Sequence, residues 1–526
     1  MNAKTSVRFA AAFLLGSAPL AAAVTLASPF TSHMVLQREM AAPVWGTADS
    51  GESVTVEFAG QHKTATAGAD GRWRVNLDAL PASADGRVMT VTGSRTATPL
   101  RLDDVLVGEV WLASGQSNME FTVSKKVKAF AGVANEEAEI AAANYPLIRM
   151  FTGAGTKAYE PQDHIRGDWQ ICSPETVPAF SAIGYLFARD LQRDIKVPVG
   201  ILALSFGAST AEAWIRRETM AADPQLKPML DRFDAAEKAF RDKPPATVAP
   251  PRSEDVSAPP PSADTKAGTA AAANGQRAPR RGGNTARDPA QDQHNATVLF
   301  NGMINPAIPY AIRGAIWYQG ESIVGGDAGR ALYPHVQATL VEDWRKLWGE
   351  GNFPFYIVQL AGQAATSNSP VVREAQATLL KLEPNTGMAV TVDIGEEKNV
   401  HPHNKQDVGD RLARIALANV YGRKLEYSGP MFESLTTDGR TLRLKFSHAD
   451  SGLVAKGGPL KWFVIAGADQ KFVPAEARIE GDSVVVSSAD VPSPVAVRYA
   501  WDNFPDGCNL YNGAGLPSPS FRTDRW

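Results

Sequence analysis

A serine that follows a buried, strand-like run is the best candidate for a reactive residue in this sequence. The apolar run 105–112 leads into Ser-Gly-Gln-Ser (114–117), and polar, helix-tolerant residues follow. A strand that ends in such a turn lifts a serine hydroxyl above the edge of a sheet, beside backbone N–H groups that point the same way. Most Gly-x-Ser sequences are only turns, so the interpretation of Ser117 as a nucleophile depends on a partner elsewhere in the chain.

A histidine late in the chain is the candidate partner. A serine hydroxyl is a poor nucleophile at neutral pH and needs a nearby base, and the chain contains only 8 histidines. His401 lies between a predicted strand and a predicted helix, so it should overhang the same sheet edge as Ser117. His403 is better explained as a solvated loop residue. A metal site built on these two histidines lacks a third ligand at recognisable spacing.

Hydrolysis through a serine also needs donors for the negative charge that develops on the substrate oxygen. We predict three such donors. They are the backbone N–H groups of Ser117 and Gly207, the latter in Ser-Phe-Gly-Ala-Ser (205–209), and the side-chain amide of Gln319, in Trp-Tyr-Gln-Gly-Glu-Ser (317–322). Gln319 is interpreted as a donor rather than an ordinary loop residue because it follows a strand and precedes a glycine.

Strand-like and helix-like segments alternate through the middle of the chain. The predicted strands are 105–112, 199–205, 311–318, 355–360 and 388–393; the predicted helices are 180–191, one beginning near 210, 334–348, 372–382 and 405–420. This alternation is typical of a mostly parallel sheet covered by helices on both faces. Active sites of such sheets lie at the carboxyl ends of the strands. Ser117, Gly207, Gln319 and Asp393 all fall at that end of a predicted strand.

Two β-rich segments flank this α/β part. Segments of alternating polarity at 54–58, 73–77 and 88–92, with a hairpin-like link at 68–71, predict an antiparallel sandwich over residues 24–103. Further strands, at 442–446, 461–465, 483–487 and 495–501, predict a second β-rich module over residues 426–526 that packs on the α/β domain. The α/β domain itself is predicted to span residues 104–425.

One internal segment differs sharply in composition. Between about residues 243 and 293 the sequence is dominated by Pro, Ala, Ser, Gly and Arg. It lacks the apolar content that offsets the entropy of ordering, so we predict a disordered insertion in a surface connection. Its short basic run is better interpreted as a solvated loop than as a nucleic-acid patch.

The N-terminal segment predicts where the protein is located, and the overall charge argues against one class of partner. Lys4 and Arg8 precede an apolar run that closes with small residues at 21–23, which predicts a signal peptide over residues 1–23 and a secreted or periplasmic protein. The run is too short for a membrane anchor, and no other segment is long and apolar enough to span a bilayer. A net charge of -3 argues against a nucleic-acid partner. The 2 cysteines, Cys172 and Cys508, are interpreted as unpaired thiols.

Four blocks of sequence, in order, resemble the sialate O-acetylesterase family of the SGNH-hydrolase superfamily. They are Gly-Gln-Ser-Asn-Met (115–119), Trp-Tyr-Gln-Gly-Glu-Ser (317–322), Asp-Trp-Arg (343–345) and His-Pro-His-Asn-Lys (401–405). Segments 32–38 and 509–517 are also similar to this family, so the resemblance runs from about residue 29 to residue 526. It implies an SGNH-type three-layer α/β/α domain with a parallel sheet.

The resemblance also implies roles for the residues. Ser117 would be the nucleophile, His401 the general base and then acid, and Gly207 and Gln319 the oxyanion donors, without metal or organic cofactor. Many SGNH enzymes place an aspartate three residues before the catalytic histidine, and here that residue is Lys398. The carboxylate that orients His401 must therefore come from elsewhere. Candidates are Asp393, which we favour, and Glu321; a Ser-His dyad without a carboxylate remains open.

The implied activity is the hydrolysis of O-acetyl esters on sugars. The family name suggests sialic acid as the sugar that carries the acetyl group. Relatives in the family also include bacterial esterases that act on acetylated plant polysaccharides such as xyloglucan. The predicted signal peptide suits either kind of substrate. By analogy, the insertion and the flanking β modules suit an open cleft for a polymer, so we favour an acetylated plant polysaccharide or a similar glycan. Sialic acid is the alternative substrate. A non-catalytic carbohydrate-binding protein is the alternative of another class, and the sequence leaves the oligomeric state open.

Overall fold

A computed structural model of the chain describes residues 23–96, 98–242, 287–323, 326–364 and 369–526. The predicted signal peptide lies outside these residues except for its last position, and so does the predicted insertion from 243 to 286. Among the helices of the described residues, none combines the length and the apolar character needed to cross a membrane.

The largest sheet has 11 strands, and the candidate site lies on it. Its main path runs, in spatial order, through Trp169–Cys172, Tyr145–Thr152, Val199–Ser205, Leu100–Gly115, Gly314–Tyr318, Phe355–Val358 and Thr386–Ala389. Only the first two of these strands pair antiparallel, and every other neighbouring pair is parallel. The predicted mostly parallel sheet is therefore confirmed.

The strands of this sheet are apolar on both sides, as is usual where both faces are covered. All residues of Gly314–Tyr318 are buried. Successive residues of the long strand point to opposite faces, so that Leu112 packs in one hydrophobic cluster and Trp111 in a second. Helix residues complete both clusters. The α-helices are Ser117–Glu120, Glu136–Ala141, Ala182–Ile195, Arg217–Ala222, Lys227–Arg241, Gly326–Trp348, Ser369–Leu382 and Gln406–Asn419.

The long strand Leu100–Gly115 joins the α/β part to the N-terminal β part. Its first five residues alternate in burial and the rest are continuously buried. Near its start it pairs with Ser83–Gly93 and Val35–Gln37, and further along with Val199–Ser205 and Gly314–Tyr318. The predicted boundary at 103/104 thus falls inside one strand. The other N-terminal strands are Thr25–Leu26, Ala42–Thr47, Ser53–Phe58, Gln61–Thr66 and Arg72–Leu77.

The C-terminal part contains three small sheets. Their strands are Met431–Asp438, Thr441–Ser447, Ser483–Ser487 and Glu476–Glu480; Leu453–Ala455 and Leu510–Asn512; and Val473–Pro474, Phe463–Ala466, Ala496–Tyr499 and Phe521–Arg522. Arg373, on helix Ser369–Leu382, is fully buried and donates to Ser520 Oγ at 3.1 Å. The C-terminal part therefore contacts the α/β part through this side chain. Cys172 and Cys508 are buried and unpaired, which confirms the interpretation of free thiols.

Three details differ from the predictions. Strand Thr386–Ala389 ends before Asp393, which lies on a 3₁₀ turn, Val392–Ile394. The predicted helix near 210 is a 3₁₀ turn, Ala211–Trp214. The predicted insertion extends too far, because Asp288 accepts a hydrogen bond from Tyr159 Oη at 2.5 Å and so packs residues 287–293 against the domain.

Candidate active site

Ser117 stands where the long strand turns over the edge of the sheet. The strand ends at Gly115, and Ser117 begins a four-residue helix, Ser117–Glu120. A Cβ at Gly115 would lie 2.2 Å from Tyr318 O, and its φ of +133° is one that favours glycine. The next backbone N–H, that of Gln116, donates to the same carbonyl at 2.9 Å. A glycine at 115 therefore lets two strand ends meet directly beneath the serine.

The structure brings His401 to this serine. His401 Nε2 lies 2.8 Å from Ser117 Oγ, although the two residues are 284 positions apart in the sequence. The loop that carries the imidazole is braced by Asn399, whose Oδ1 accepts from His401 N at 3.0 Å and whose Nδ2 donates to His401 O at 2.8 Å. This separation is within the range needed for direct proton transfer between the hydroxyl and the imidazole.

The surroundings of His401 keep its imidazole neutral. Burial lowers the pKa of His401 to about 4, and the positive charges of Lys405 and His403 act in the same direction. The ring of Phe130, which is 39% exposed, lies with its centroid 4.7 Å from that of the imidazole. Within the described residues, His401 Nδ1 has no hydrogen-bond partner. The histidine is therefore ready to accept a proton at Nε2. No carboxylate of the described residues accepts a hydrogen bond from its Nδ1.

Asp393, the favoured acid, does not reach the imidazole. Its Oδ1 and Oδ2 accept hydrogen bonds from Arg411 Nη1 and Nη2, each at 2.7 Å, and Oδ2 also accepts from Tyr511 Oη at 2.9 Å. The turn beyond the strand points this carboxylate at helix Gln406–Asn419 rather than at His401. In the described residues, no hydrogen bond joins Asp393 to His401. The structure therefore gives no support to the predicted role of Asp393 as the residue that orients His401.

Glu321, the rival acid, is also committed elsewhere. Its Oε1 accepts from Asn118 Nδ2 at 2.6 Å, and burial raises its pKa. Its Oε2 is buried without a hydrogen-bond partner in the part of the chain that the structure describes. A carboxylate of the histidine loop, that of Glu396, lies 2.9 Å from His403 Nδ1. This contact directs the two histidines of the loop to different partners, His401 to Ser117 and His403 to Glu396.

Two residues that the sequence analysis passed over, Asn118 and Lys405, connect the two halves of the site. Asn118 Oδ1 accepts from Lys405 Nζ at 2.6 Å, and Asn118 Nδ2 donates to Val400 O at 2.9 Å. Lys405 is 1% exposed, and burial lowers its pKa to about 7. Both residues lie inside the motifs quoted above, directly after Ser117 and four positions after His401, and that adjacency was the available signal.

Gly207, one of the predicted oxyanion donors, lies beside Ser117. A Cβ built at Gly207 would lie 3.7 Å from Ser117 Cβ, so the two residues are in contact range. The backbone N–H groups of Ser117 and Gly207 have no hydrogen-bond acceptor among the described residues. Gln319 is fully buried; its Nε2 donates to Ser209 O at 3.1 Å, and its Oε1 accepts from Tyr333 Oη at 2.6 Å. One N–H of the amide thus holds the 205–209 loop, and the second has no acceptor within the described chain.

A pocket of about 140 Å³, lined by neither Ser117 nor His401, adjoins the segments that carry Ser117 and Gly207, because Glu120 and Ser205 line it. Its polar lining residues are Glu120, Thr122, Lys128, Thr152, Ser181 and Ser205. Lys128 forms an ion pair with Glu120, whose carboxylate also lies against Gly207. The site therefore combines a serine–imidazole pair with unused backbone donors, which are the groups that acyl transfer to and from a serine requires.

Comparison with known proteins gives consistent matches. A family model described as carbohydrate esterase, sialic acid-specific acetylesterase, matches residues 282–418. Sialate O-acetylesterase of Mus musculus is 29% identical over 557 residues, covering 94% of this chain and 93% of the mouse protein. The Homo sapiens protein of that name is 28% identical over 540 residues, covering 94% and 91%. A crystal structure of a carbohydrate acetylesterase from Xanthomonas citri is 34% identical, covers 96% of this chain and 100% of that chain, and superposes with a TM-score of 0.78.

Proposed function

Since this chain belongs to the sialate O-acetylesterase family and is a carbohydrate O-acetylesterase, we propose that its substrates are O-acetylated sialic acids. The curated relatives from mouse and human, both named for this activity, cover 94% of the chain. They support sialic acid better than the plant polysaccharide favoured by the sequence alone.

The observation that carries the catalytic assignment is the 2.8 Å separation of Ser117 Oγ and His401 Nε2. In the proposed reaction, His401 takes the hydroxyl proton as Ser117 Oγ attacks the acetyl carbonyl carbon. The N–H groups of Ser117 and Gly207 and the Gln319 amide stabilise the oxyanion. His401 then protonates the sugar oxygen, which leaves as a hydroxyl. Water, deprotonated by His401, hydrolyses the acetyl-serine and releases acetate.

We assign this chemistry to a Ser117–His401 dyad. A carboxylate normally fixes the imidazole tautomer and stabilises the imidazolium. Here the contacts of Asn399 with the His401 backbone, and of Asn118 with the Val400 carbonyl, hold the loop instead. The low pKa of His401 favours its neutral form, which acts as the base. It makes the protonated imidazole, which forms as Ser117 attacks, less stable.

The proposal includes the architecture and the location of the enzyme. We assign the α/β part to an SGNH-type three-layer arrangement, supported by the mostly parallel sheet and by helix residues in both hydrophobic clusters. The β-rich parts of residues 24–103 and 426–526 flank it. A signal peptide over residues 1–23, and a secreted or periplasmic enzyme, follow from the sequence pattern.

An acetylated plant polysaccharide such as xyloglucan is the second candidate substrate. It is favoured by the match to the Xanthomonas citri enzyme, whose description as a carbohydrate acetylesterase is broader than sialic acid and whose identity to this chain, 34%, exceeds that of the mouse protein. The two candidates share the chemistry at Ser117 and differ only in the sugar.

Acetate release from a panel of substrates tests the proposal. The panel holds an O-acetylated sialoside, acetylated xyloglucan, acetylated xylan and 4-nitrophenyl acetate, each assayed with and without enzyme. We expect the highest kcat/KM among the sugars on the sialoside. A higher value on a polysaccharide would transfer the assignment to the second candidate. Acetate from none of the four would support a carbohydrate-binding protein without catalytic activity.

A further inference from the structure

A second cavity, separate from the reactive pair, lies between the N-terminal β part and two loops of the α/β part. Its volume is about 340 Å³, at the lower end of the range of about 300–1,000 Å³ typical of small-molecule sites. Neither Ser117 nor His401 lines it. Its lining includes the aromatic and polar residues Trp45, Arg72, Arg74, Asp163, His164 and Asn305. We call this cavity the Trp45 groove.

One wall of the groove is the outer face of a three-stranded sheet. Trp45 pairs in register with Arg74, and Thr47 pairs with Arg72, so these side chains share one face. The half-buried ring of Trp45 rests on the edge of Phe30, with ring centroids 4.7 Å apart at an interplanar angle of 82°. Because this contact supports the indole from one side, the ring presents a fixed apolar surface flanked by guanidinium groups.

The opposite wall is held in place by its own contacts. Asp163 accepts from Arg72 Nη2 at 2.7 and 2.8 Å, which ties the two walls together. His164 Nδ1 lies 3.3 Å from Ser28 Oγ, and Asn305 Nδ2 donates to Gln162 O at 2.9 Å. The polar side chains of this wall are therefore positioned without a ligand.

Several polar groups of the groove remain unused. In the described residues, the Trp45 indole N–H donates to no acceptor, and the Asn305 side-chain oxygen accepts from no donor. A supported aromatic face beside unpaired donors and acceptors suits a ligand with one apolar face and a rim of hydroxyl groups.

We propose that the Trp45 groove binds a pyranose ring of the glycan that carries the acetyl ester, away from the ester itself. The C–H face of the sugar would lie on the indole, and its hydroxyl groups would bond to Asn305 and Arg74. The ion pair of Arg72 with Asp163 is neutral overall, so among these three charged side chains Arg74 contributes one net positive charge. A single positive charge suits a sugar ring better than a polyanion. This inference rests on the proposed function for its choice of ligand, and it makes the groove a site that retains the glycan during hydrolysis.

Two variants of the full chain and one matched control test the groove. Trp45→Ala removes the aromatic face, Arg74→Ala removes an exposed guanidinium, and Trp526→Ala removes an indole that is 45% exposed at the far end of the chain. Binding to de-O-acetylated xyloglucan oligosaccharide and to a sialylated glycan is measured by calorimetry. We expect Trp45→Ala to weaken binding to at least one glycan by about tenfold or more, as for truncation of an aromatic anchor. Arg74→Ala should weaken it less, and Trp526→Ala should leave it unchanged.

Kinetics separate the groove from the active site. On 4-nitrophenyl acetate both groove variants should match the wild type, while KM for the acetylated glycan rises and kcat stays the same. Unchanged glycan binding in both variants, or no glycan binding by the wild type, would overturn the proposal. If Trp45→Ala melts early, Arg74→Ala decides the question alone. Loss of glycan binding in the variants of a chain that releases no acetate would refute the proposed function and leave the groove standing.

Discussion

Arg411 binds both carboxylate oxygens of Asp393, each at 2.7 Å, and the two side chains are only 7% and 4% exposed. Tyr511, from the C-terminal β part, adds a third hydrogen bond to the same carboxylate at 2.9 Å. Asp393 therefore joins the turn before the histidine loop, helix Gln406–Asn419 and the C-terminal part. Its position makes it an anchor of the loop that carries His401.

Removing this anchor should reduce stability more than chemistry. Asp393→Asn leaves the buried Arg411 guanidinium without its counter-charge, and breaking a buried pair in this way costs about 3–5 kcal/mol. We expect a clear drop in melting temperature, with kcat of the folded fraction on 4-nitrophenyl acetate reduced less than about tenfold. The control is Asp407→Asn, since Asp407 lies 3.6 Å from Arg411 but is 48% exposed. A fall of about 10⁴-fold in kcat at unchanged melting temperature would restore Asp393 as the triad acid.

The acid limb of the pH profile should lie low and should depend on Lys405. Because the pKa of His401 is lowered to about 4, kcat/KM should fall only as the pH drops toward 4, well below the usual histidine value of about 6.5. Lys405→Met removes a buried positive charge that disfavours the imidazolium, so the limb should move to higher pH. The exposed Lys398, three positions before His401, supplies the control Lys398→Met, which should not shift it. A wild-type limb near 6.5, or equal shifts in both variants, would contradict this.

Substitution of Gln319 should lower kcat rather than raise KM. Removing one oxyanion donor costs about 10²–10³ in kcat in well-studied cases, and Gln319→Leu should lie in that range with KM little changed. Tyr333→Phe leaves the amide in place but removes the hydroxyl that donates to its oxygen at 2.6 Å, so its loss should be smaller. If Gln319→Leu melts early yet retains normal kcat when folded, the amide only holds the 205–209 loop.

The placement of Ser117 and His401 was predictable because it depends on sheet topology. Both residues follow strands of one parallel sheet, and the carboxyl ends of parallel strands meet at one edge. The partner of His401 was not predictable in the same way. Residues 390–392 continue the apolar pattern of the preceding strand, so periodicity could not show that the strand ends at Ala389 and turns Asp393 toward Arg411. Contacts between side chains distant in sequence, such as that of Asn118 with Lys405, leave no periodic signal.

The boundary predicted at 103/104 lies inside a strand for a related reason. The strand Leu100–Gly115 changes from alternating to continuous burial partway along. A change of pattern in the sequence suggests two elements, whereas here one extended strand passes from a half-exposed part of the sheet into a part that is covered on both faces.

Acetate release by Ser117→Ala tests whether Ser117 is the nucleophile of the Ser117–His401 dyad. Wild type and variant are compared on the best substrate of the panel, with folding checked by thermal melting. The dyad account predicts an unchanged melting temperature and a loss of several orders of magnitude in kcat, as for removal of a catalytic serine elsewhere. Acetate release near the wild-type rate from a folded Ser117→Ala protein would contradict it.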